Sequence, residues 1–413
     1  MALPALALGW LLVASAPAVK YKASARIETI TRSKLLTEQV FPASTKVLND
    51  IILAPRLEST LYTNLLEVKF VYESQFLLRQ VTKSNRALEF QQSVYTRTDY
   101  KIRRDLTLLA VHTTTLGKFP FEAYGGAGEI GLPVNRPTTN SNSLSSGSAY
   151  IYTETAAGFL TSLGIKRLTI VGTLGWIVNG LLDPPPRPLP RGSAAYPQQR
   201  YPELRFQTIY GATRRDYLSF SVYGKDVSFS TGNRDAYLQF APGLLHQFSP
   251  LVDLTVEPGI ALGRVYPRRP DELPENRVMP TLETTLNAPV PIGHHWPVKA
   301  KVRARYVPYM DPLSTQLIPR ADVGLDLEWK GRREAKILGK LRYARPLTSG
   351  IHRDDEETKM EVEALYPLPL SRYLFLQGKG TFSWINHAVV GTQPVVQWYT
   401  SVGLVVRYDR GRL

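Results

Sequence analysis

Apolar and polar residues alternate along most of this chain. Leu66, Val68, Phe70, Tyr72, Phe76 and Leu78 share one parity, against Glu67, Lys69, Glu73, Gln75 and Arg79. Leu88, Phe90, Val94, Thr96 and Thr98 oppose Glu89, Gln91, Ser93, Tyr95, Arg97 and Asp99. The same holds for Val252, Leu254, Val256, Ile260 and Leu262 against Asp253, Thr255 and Glu257. Val298, Ala300, Val302, Ala304 and Tyr306 oppose Lys299, Lys301, Arg303 and Arg305. Ala321, Val323, Leu325, Leu327 and Trp329 oppose Arg320, Asp322, Asp326 and Glu328. Successive side chains of a strand point to opposite faces, so each segment predicts a strand with one greasy and one polar face. Weaker segments fall near 23–31, 51–62, 104–115, 149–159, 167–178, 201–210, 216–223, 235–245, 278–287, 335–345, 359–366, 373–384 and 395–408. That makes eighteen, with sixteen left open because Pro202, Pro242, Pro258, Pro280 and Pro319 interrupt strands. Each proline lacks a ladder donor and predicts a bulge or a strand end.

The connections alternate too. After even-numbered strands they are mostly short: 63–64, 101–103, 161–166, 211–215, 247–250, 330–334 and 367–372. After odd-numbered strands they run 32–50, 80–87, 116–148, 179–200, 224–234, 266–277, 307–316, 346–358 and 385–394. Segment 288–296 is long for its class and 80–87 short for its own. Two long loops differ in composition. Leu116–Ser148 is Gly-rich and polar, and is expected to be mobile or folded inward, whereas Leu181–Gln199 is Pro-rich, hence stiff and extended.

Composition narrows the class. Hydrophobic residues make up 43% of 413, too few for a helical membrane protein, and the only long apolar run is N-terminal. A membrane chain of this kind must bury its backbone in a closed barrel. Tyr (22) and Trp (6) suit interfacial aromatic girdles. Met1–Ala18 has an apolar core and ends Ala16-Pro17-Ala18, which reads as a signal peptide cut before Val19, although no Lys or Arg precedes its core. This divides the chain into a leader, 1–18, and a barrel, 19–413. The absence of Cys removes thiol nucleophiles and thiolate metal sites.

The net charge of +15 lies wholly beyond residue 18. No compact basic patch interleaves with aromatics, so no nucleic-acid partner is expected. The cations are instead spaced two apart along strands. Lys299, Lys301, Arg303 and Arg305 share one face, with Arg320, then Lys336, Lys340 and Arg342 on the strands that follow, and carboxylates Asp322, Asp326 and Glu328 between. In a wide lumen such a wall lowers the energy of an anion; the competing reading is mutual neutralisation across the ladder. Tyr95, Tyr373, Phe375 and Tyr399 are also expected to point inward. His294-His295 points two ways on an extended chain and makes a poor metal site. No Ser-His pairing, Walker loop or acidic metal cluster can be placed, so neither enzyme activity nor a cofactor or metal is expected.

The closing strand carries a resemblance. The pattern polar-x-Gly-x-x-apolar-x-aromatic is filled by Ser401, Gly403, Val406 and Tyr408, and resembles the C-terminal assembly signal of bacterial outer-membrane β-barrels. Those proteins usually stop at the aromatic residue, whereas Asp409–Leu413 runs on here. The fold class implied is all-β, a single closed antiparallel transmembrane β-barrel of about 18 strands. Eighteen strands are wide enough for an aqueous channel. The resemblance implies the bacterial outer membrane, insertion by the barrel-assembly machinery, and outer-membrane lipid and lipopolysaccharide as neighbours, with oligomerisation left open. The expected function is a porin-like channel passing hydrophilic, preferably anionic, solutes. The alternatives are an export barrel for a surface polysaccharide with periplasmic export partners, similar to the eighteen-strand barrels of some exopolysaccharide secretion systems, and a closed structural barrel.

Overall fold

The computed structural model of the protein describes residues 18–33, 47–80, 86–117, 150–163, 167–181, 198–230, 232–266, 273–292, 296–311, 316–331, 335–347, 356–368, 373–386 and 395–410. The leader expected over 1–18 lies almost wholly outside them.

All eighteen expected segments are strands. In chain order they are β1 (Ala18–Ser33), β2 (Val47–Tyr62), β3 (Leu66–Gln80), β4 (Arg86–Arg103), β5 (Leu106–Gly117) and β6 (Tyr150–Leu163). Next come β7 (Leu168–Leu181), β8 (Gln199–Gly211), β9 (Asp216–Phe229), β10 (Arg234–Ser249), β11 (Val252–Val265) and β12 (Glu275–Ile292). The last six are β13 (Trp296–Asp311), β14 (Gln316–Lys330), β15 (Lys336–Pro346), β16 (Glu356–Pro367), β17 (Leu374–Asn386) and β18 (Val395–Arg410). Every strand pairs antiparallel with its neighbours in sequence, and β18 returns to β1, with Val406 opposite Ala25 and Tyr408 opposite Ala23. The sheet therefore closes, which alone leaves no edge of unpaired N–H and C=O groups in lipid.

The apolar parity faces out. Leu88, Phe90, Val302, Val323 and Leu404 are exposed, while Gln91, Ser93, Thr113 and Ser401 on the other parity are buried. Val298 departs from its strand, being covered although its parity is outward. Exposed aromatics gather near both ends of the strands: Tyr210, Phe248, Tyr366 and Tyr408 toward the short turns, Phe76, Phe90 and Trp176 toward the long connections. These are the two girdles of a membrane barrel.

Strands outrun their alternating cores. β12 continues to Ile292 and β13 begins at Trp296, so the connection expected at 288–296 shrinks to 293–295 and joins the short class. On the other side 224–234 shrinks to 230–233, where Gly232 takes φ +90° and donates to Phe229 O at 2.9 Å. The alternation ends where strands leave the hydrocarbon, because both faces then meet water, but the hydrogen-bonded ladder does not end there.

The prolines were expected to bring bulges or strand ends, and they bring neither. Register shifts occur at Lys101/Arg103 and Gln247/Ser249, away from those five prolines, although Pro250 follows the second. Pairing of β10 with β11 lapses between Phe240/Ile260 and Leu244/Val256 and resumes in the same register. Within that gap Pro242 faces Pro258 by register. Two residues that would have exchanged bonds both lack the donor, so the lost bonds fall in one place and the flanking ladder is kept.

Candidate functional site

β13, β14 and β15 carry the densest inward charge, and their registers sort it into rows. Arg305 stands opposite Asp322 and donates to Oδ2 at 2.7 Å, both side chains largely buried. Lys301 stands opposite Asp326, which on its other side faces Lys340, itself opposite Glu361. Lys299 stands opposite Glu328, and Lys336 reaches Glu328 Oε1 at 3.1 Å. Each of these rows pairs cations with carboxylates. The row between Arg305 and Lys301 does not. It runs Thr285, Arg303, Gly324, Arg342, Lys359, with no carboxylate in register. Gly324 leaves a gap in this row, since a Cβ there would have only Leu341 O and Arg342 Cγ near it, at 3.8 and 3.9 Å. The inward charge is thus neutralised above and below one cationic band.

A second feature shapes the lumen just beyond that band. β13 pairs with β12 only as far as Tyr306, and β14 pairs with β15 only from Arg320 onward. Val307–Asp311 and Gln316–Arg320 are paired with each other, Val307 with Arg320 through Asp311 with Gln316, and the last bond to the wall on the β15 side is that from Leu347 N–H to Pro319 O at 2.7 Å. This hairpin has left the wall and folded inward. Leu317 has the parity of the lipid-facing Val323, yet it is fully buried and donates its N–H to Asp235 Oδ2 at 2.7 Å. Arg277 Nη1 donates to Leu317 O at 2.8 Å. A Cβ at Gly263 would collide with the Leu317 side chain, so the glycine is what lets it lie against the inner wall. Val307, Pro308, Met310 and Ile318 are buried as well, on both parities. Pro308 faces Pro319 at the root of the hairpin, where neighbouring strands are lost and a proline brings no orphan N–H.

The wall that receives the hairpin is aromatic and apolar. Tyr201, Tyr223 and Tyr237 come from the inward parity of β8, β9 and β10, and form one buried cluster with Ile177, Val227, Phe229, Ala261, Val265, Met279, Met310 and Leu317. The Tyr223 and Tyr237 rings lie 5.8 Å apart. Glu203 accepts from Tyr223 Oη at 2.9 Å, pairs with Arg205 and stands opposite Lys225. Lys225 Nζ sits 5.3 Å from the Tyr201 ring centre and 5.7 Å from that of Tyr237, within cation–π range. Burial of such charges requires pairing of this kind.

The cationic wall read from sequence divides in the structure. Lys299, Lys301, Arg303, Arg305, Lys336, Lys340 and Arg342 lie along one inner face. Arg320 stands apart at the hairpin root, buried, its guanidinium 4.5 Å from the Tyr309 ring centre. Tyr95 and Phe375 are buried inward as expected. Tyr373 instead meets the outward Tyr408, ring centres 6.1 Å apart, because it precedes β17 and is not held to the alternation. The Tyr399 side chain, loop residues 118–148 and His294-His295 lie outside the described residues. Of the proposed assembly signal, Ser401 and Gly403 are buried and Val406 and Tyr408 exposed. The inward hairpin and the tyrosine cluster were not anticipated. Their signals are there: Val307 to Met310 and Leu317 to Pro319 are apolar on both parities, and the three tyrosines sit on polar parities. Among the described residues no group of three or more His, Asp or Glu could hold a metal.

This geometry is matched by kinship. The model of the EpsX exopolysaccharide export family matches residues 10–408. The chain belongs to that family. Its closed eighteen-strand barrel is a barrel of the bacterial outer membrane. Solved structures are similar to the chain at low identity. OccK2 (OpdF) of Pseudomonas aeruginosa is 11% identical, over 95% of this chain and 98% of that one, with a TM-score of 0.49. A BenF-like porin of Pseudomonas fluorescens is also 11% identical, over 96% and 99%, with a TM-score of 0.49. The FrpB iron transporter of Neisseria meningitidis is 7% identical, over 94% and 81%, with a TM-score of 0.50. Such identities carry nothing about cargo. No curated protein matches the chain in sequence.

Proposed function

We propose that this EpsX-family barrel is the outer-membrane outlet for an acidic exopolysaccharide. The observation that carries the reading is the row Arg303, Gly324, Arg342, Lys359, which has cations and no carboxylate in register. Rows on either side neutralise themselves and contribute little field. Salt screens charge over about 8 Å at physiological strength, so a band acts on cargo only where the passage is narrow. The inward hairpin supplies the narrowing. Val307 is four residues from Arg303, roughly 13 Å along the strand, so cargo passing the hairpin also passes the band. A repeating carboxylate polymer gains at each cation and leaves readily, since each exposed contact is weak.

The test is ion current through the purified barrel in a planar bilayer. A salt gradient is expected to give a reversal potential of anion sign. Oligo-uronate added to one side is expected to reduce the current, and a neutral glucan oligomer of equal length is not. Cation selectivity, or equal block by both oligomers, would overturn the acidic-polymer reading.

A further inference from the structure

The lipid-facing side of β8 to β12 carries a feature that the export reading does not use. At the long-connection end Arg200, Arg234 and Arg264 are exposed on the outward parity of β8, β10 and β11. Ser228 stands between Arg200 and Arg234 in register, and Arg264 lies opposite Ala236, one outward position further in. Arg234 and Arg264 each place a guanidinium 5.3 Å from the centre of the Tyr266 ring. One carboxylate, Asp226, pairs with Arg234. The three guanidiniums therefore keep an excess of positive charge.

Directly beneath them the wall carries a shallow, open apolar depression. A groove of about 600 Å³ is lined by Pro202, Leu204, Leu238, Leu262 and Val278 and reaches from Leu174 to Arg264. Gly224 lies in its lining, and the Leu238 side chain leans over the space that a Cβ there would fill. An arginine on the lipid face costs about 2–4 kcal/mol at the bilayer midplane and about 0–1 near the interface, so these three sit at headgroup depth. Barrels of this membrane carry their longer loops outside, which puts this end in the outer leaflet.

We propose that this surface is a docking site for a phosphorylated, multiply acylated glycolipid of the outer leaflet, the lipid A portion of lipopolysaccharide. The guanidiniums take the headgroup phosphates, and the groove takes an acyl chain. Charge complementarity and depth select this occupant: a neutral lipid would leave the excess positive charge uncompensated, and a free anion would leave the groove unused. Arginine suits the role because its fork binds two phosphate oxygens at once.

The test compares the folded wild type with Arg200→Gln/Arg264→Gln, which keeps the Arg234–Asp226 pair. Heat-modifiable migration confirms that both barrels are folded. Binding of purified bis-phosphorylated lipid A in detergent is expected to weaken about tenfold or more in the variant. For the wild type, dephosphorylated lipid A is expected to bind as weakly as lipid A binds the variant, and inorganic phosphate at matched concentration is expected not to displace lipid A. Equal affinity of the two proteins, or wild-type indifference to the phosphates, overturns the proposal. So does displacement by inorganic phosphate, which would mean an anion site without a groove. Should the variant not fold, the two wild-type comparisons decide the matter. None of these outcomes depends on what the lumen carries.

Discussion

Leu317 and Asp235, 82 residues apart, are joined by a hydrogen bond of 2.7 Å from the backbone N–H to Oδ2. Asp235 also accepts from the N–H of Tyr266 at 3.2 Å. One carboxylate thus ties the inward hairpin to the wall it lies on. Removing it strands the buried N–H of Leu317, at about 1–3 kcal/mol, while the N–H of Tyr266 keeps Arg234 O at 3.2 Å. Asp235→Ala is expected to loosen the hairpin, and Gly263→Val is expected to push Leu317 off its seat. Both should raise single-channel conductance over wild type while heat-modifiable migration is kept. Unchanged conductance in both folded variants would mean that the hairpin does not limit the passage.

The charge rows make a sharper claim than total charge does. Arg303→Glu/Arg342→Glu places carboxylates in the one row without them and is expected to move the reversal potential toward cations. Lys301→Glu, in a row that Asp326 and Glu361 already balance, is expected to move it less. Equal shifts from the two changes would show that register does not matter and only net charge does.

The two faces of β13 and β14 differ in what they tolerate. Val302→Lys puts an ammonium into hydrocarbon near the middle of the strand, at a cost of about 2–4 kcal/mol. Gly324→Lys puts the same group into the open gap of the inner face. Unfolding in urea is expected to show a loss of that order for the first and little change for the second. The reverse order would mean that the faces are assigned the wrong way round.

Topology can be read with a protease. Added to intact cells, it is expected to cut within 118–148 or 182–197, and not in the short turn 212–215. That turn is also held by its own bonds, with Thr213 Oγ1 donating to Asp216 Oδ2 at 2.6 Å. Cleavage there first would invert the barrel.

The wall of this barrel is written openly in the chain, because lipid on one side and polar lumen on the other impose alternation at every step. Strand number, closure and the inner face of Lys299 to Arg305 all follow from it. Three things were hidden for distinct reasons. β10 and β11 keep their register because Pro242 and Pro258 face each other, a relationship between strands that neither strand displays. Val307, Pro308, Met310, Leu317 and Ile318 obey no alternation because protein covers both faces there. The cation row of Arg303 and Arg342 depends on which residues stand opposite, so strand composition cannot distinguish it from the balanced rows beside it.

The pairing of β1 with β18 has a consequence for biogenesis. Twelve positions of the last strand, from Tyr399 to Arg410, are matched to the first, from Tyr21 to Arg32. A nascent chain that lacks those residues has two raw borders, and nothing within itself can cover either. A stop codon ahead of Val395 would thus yield no smaller pore, only an unfinished sheet whose bare amides and carbonyls each cost several kcal/mol in hydrocarbon. Until the last strand is made, the chain has to be kept out of the bilayer or have its borders lent a partner by something else.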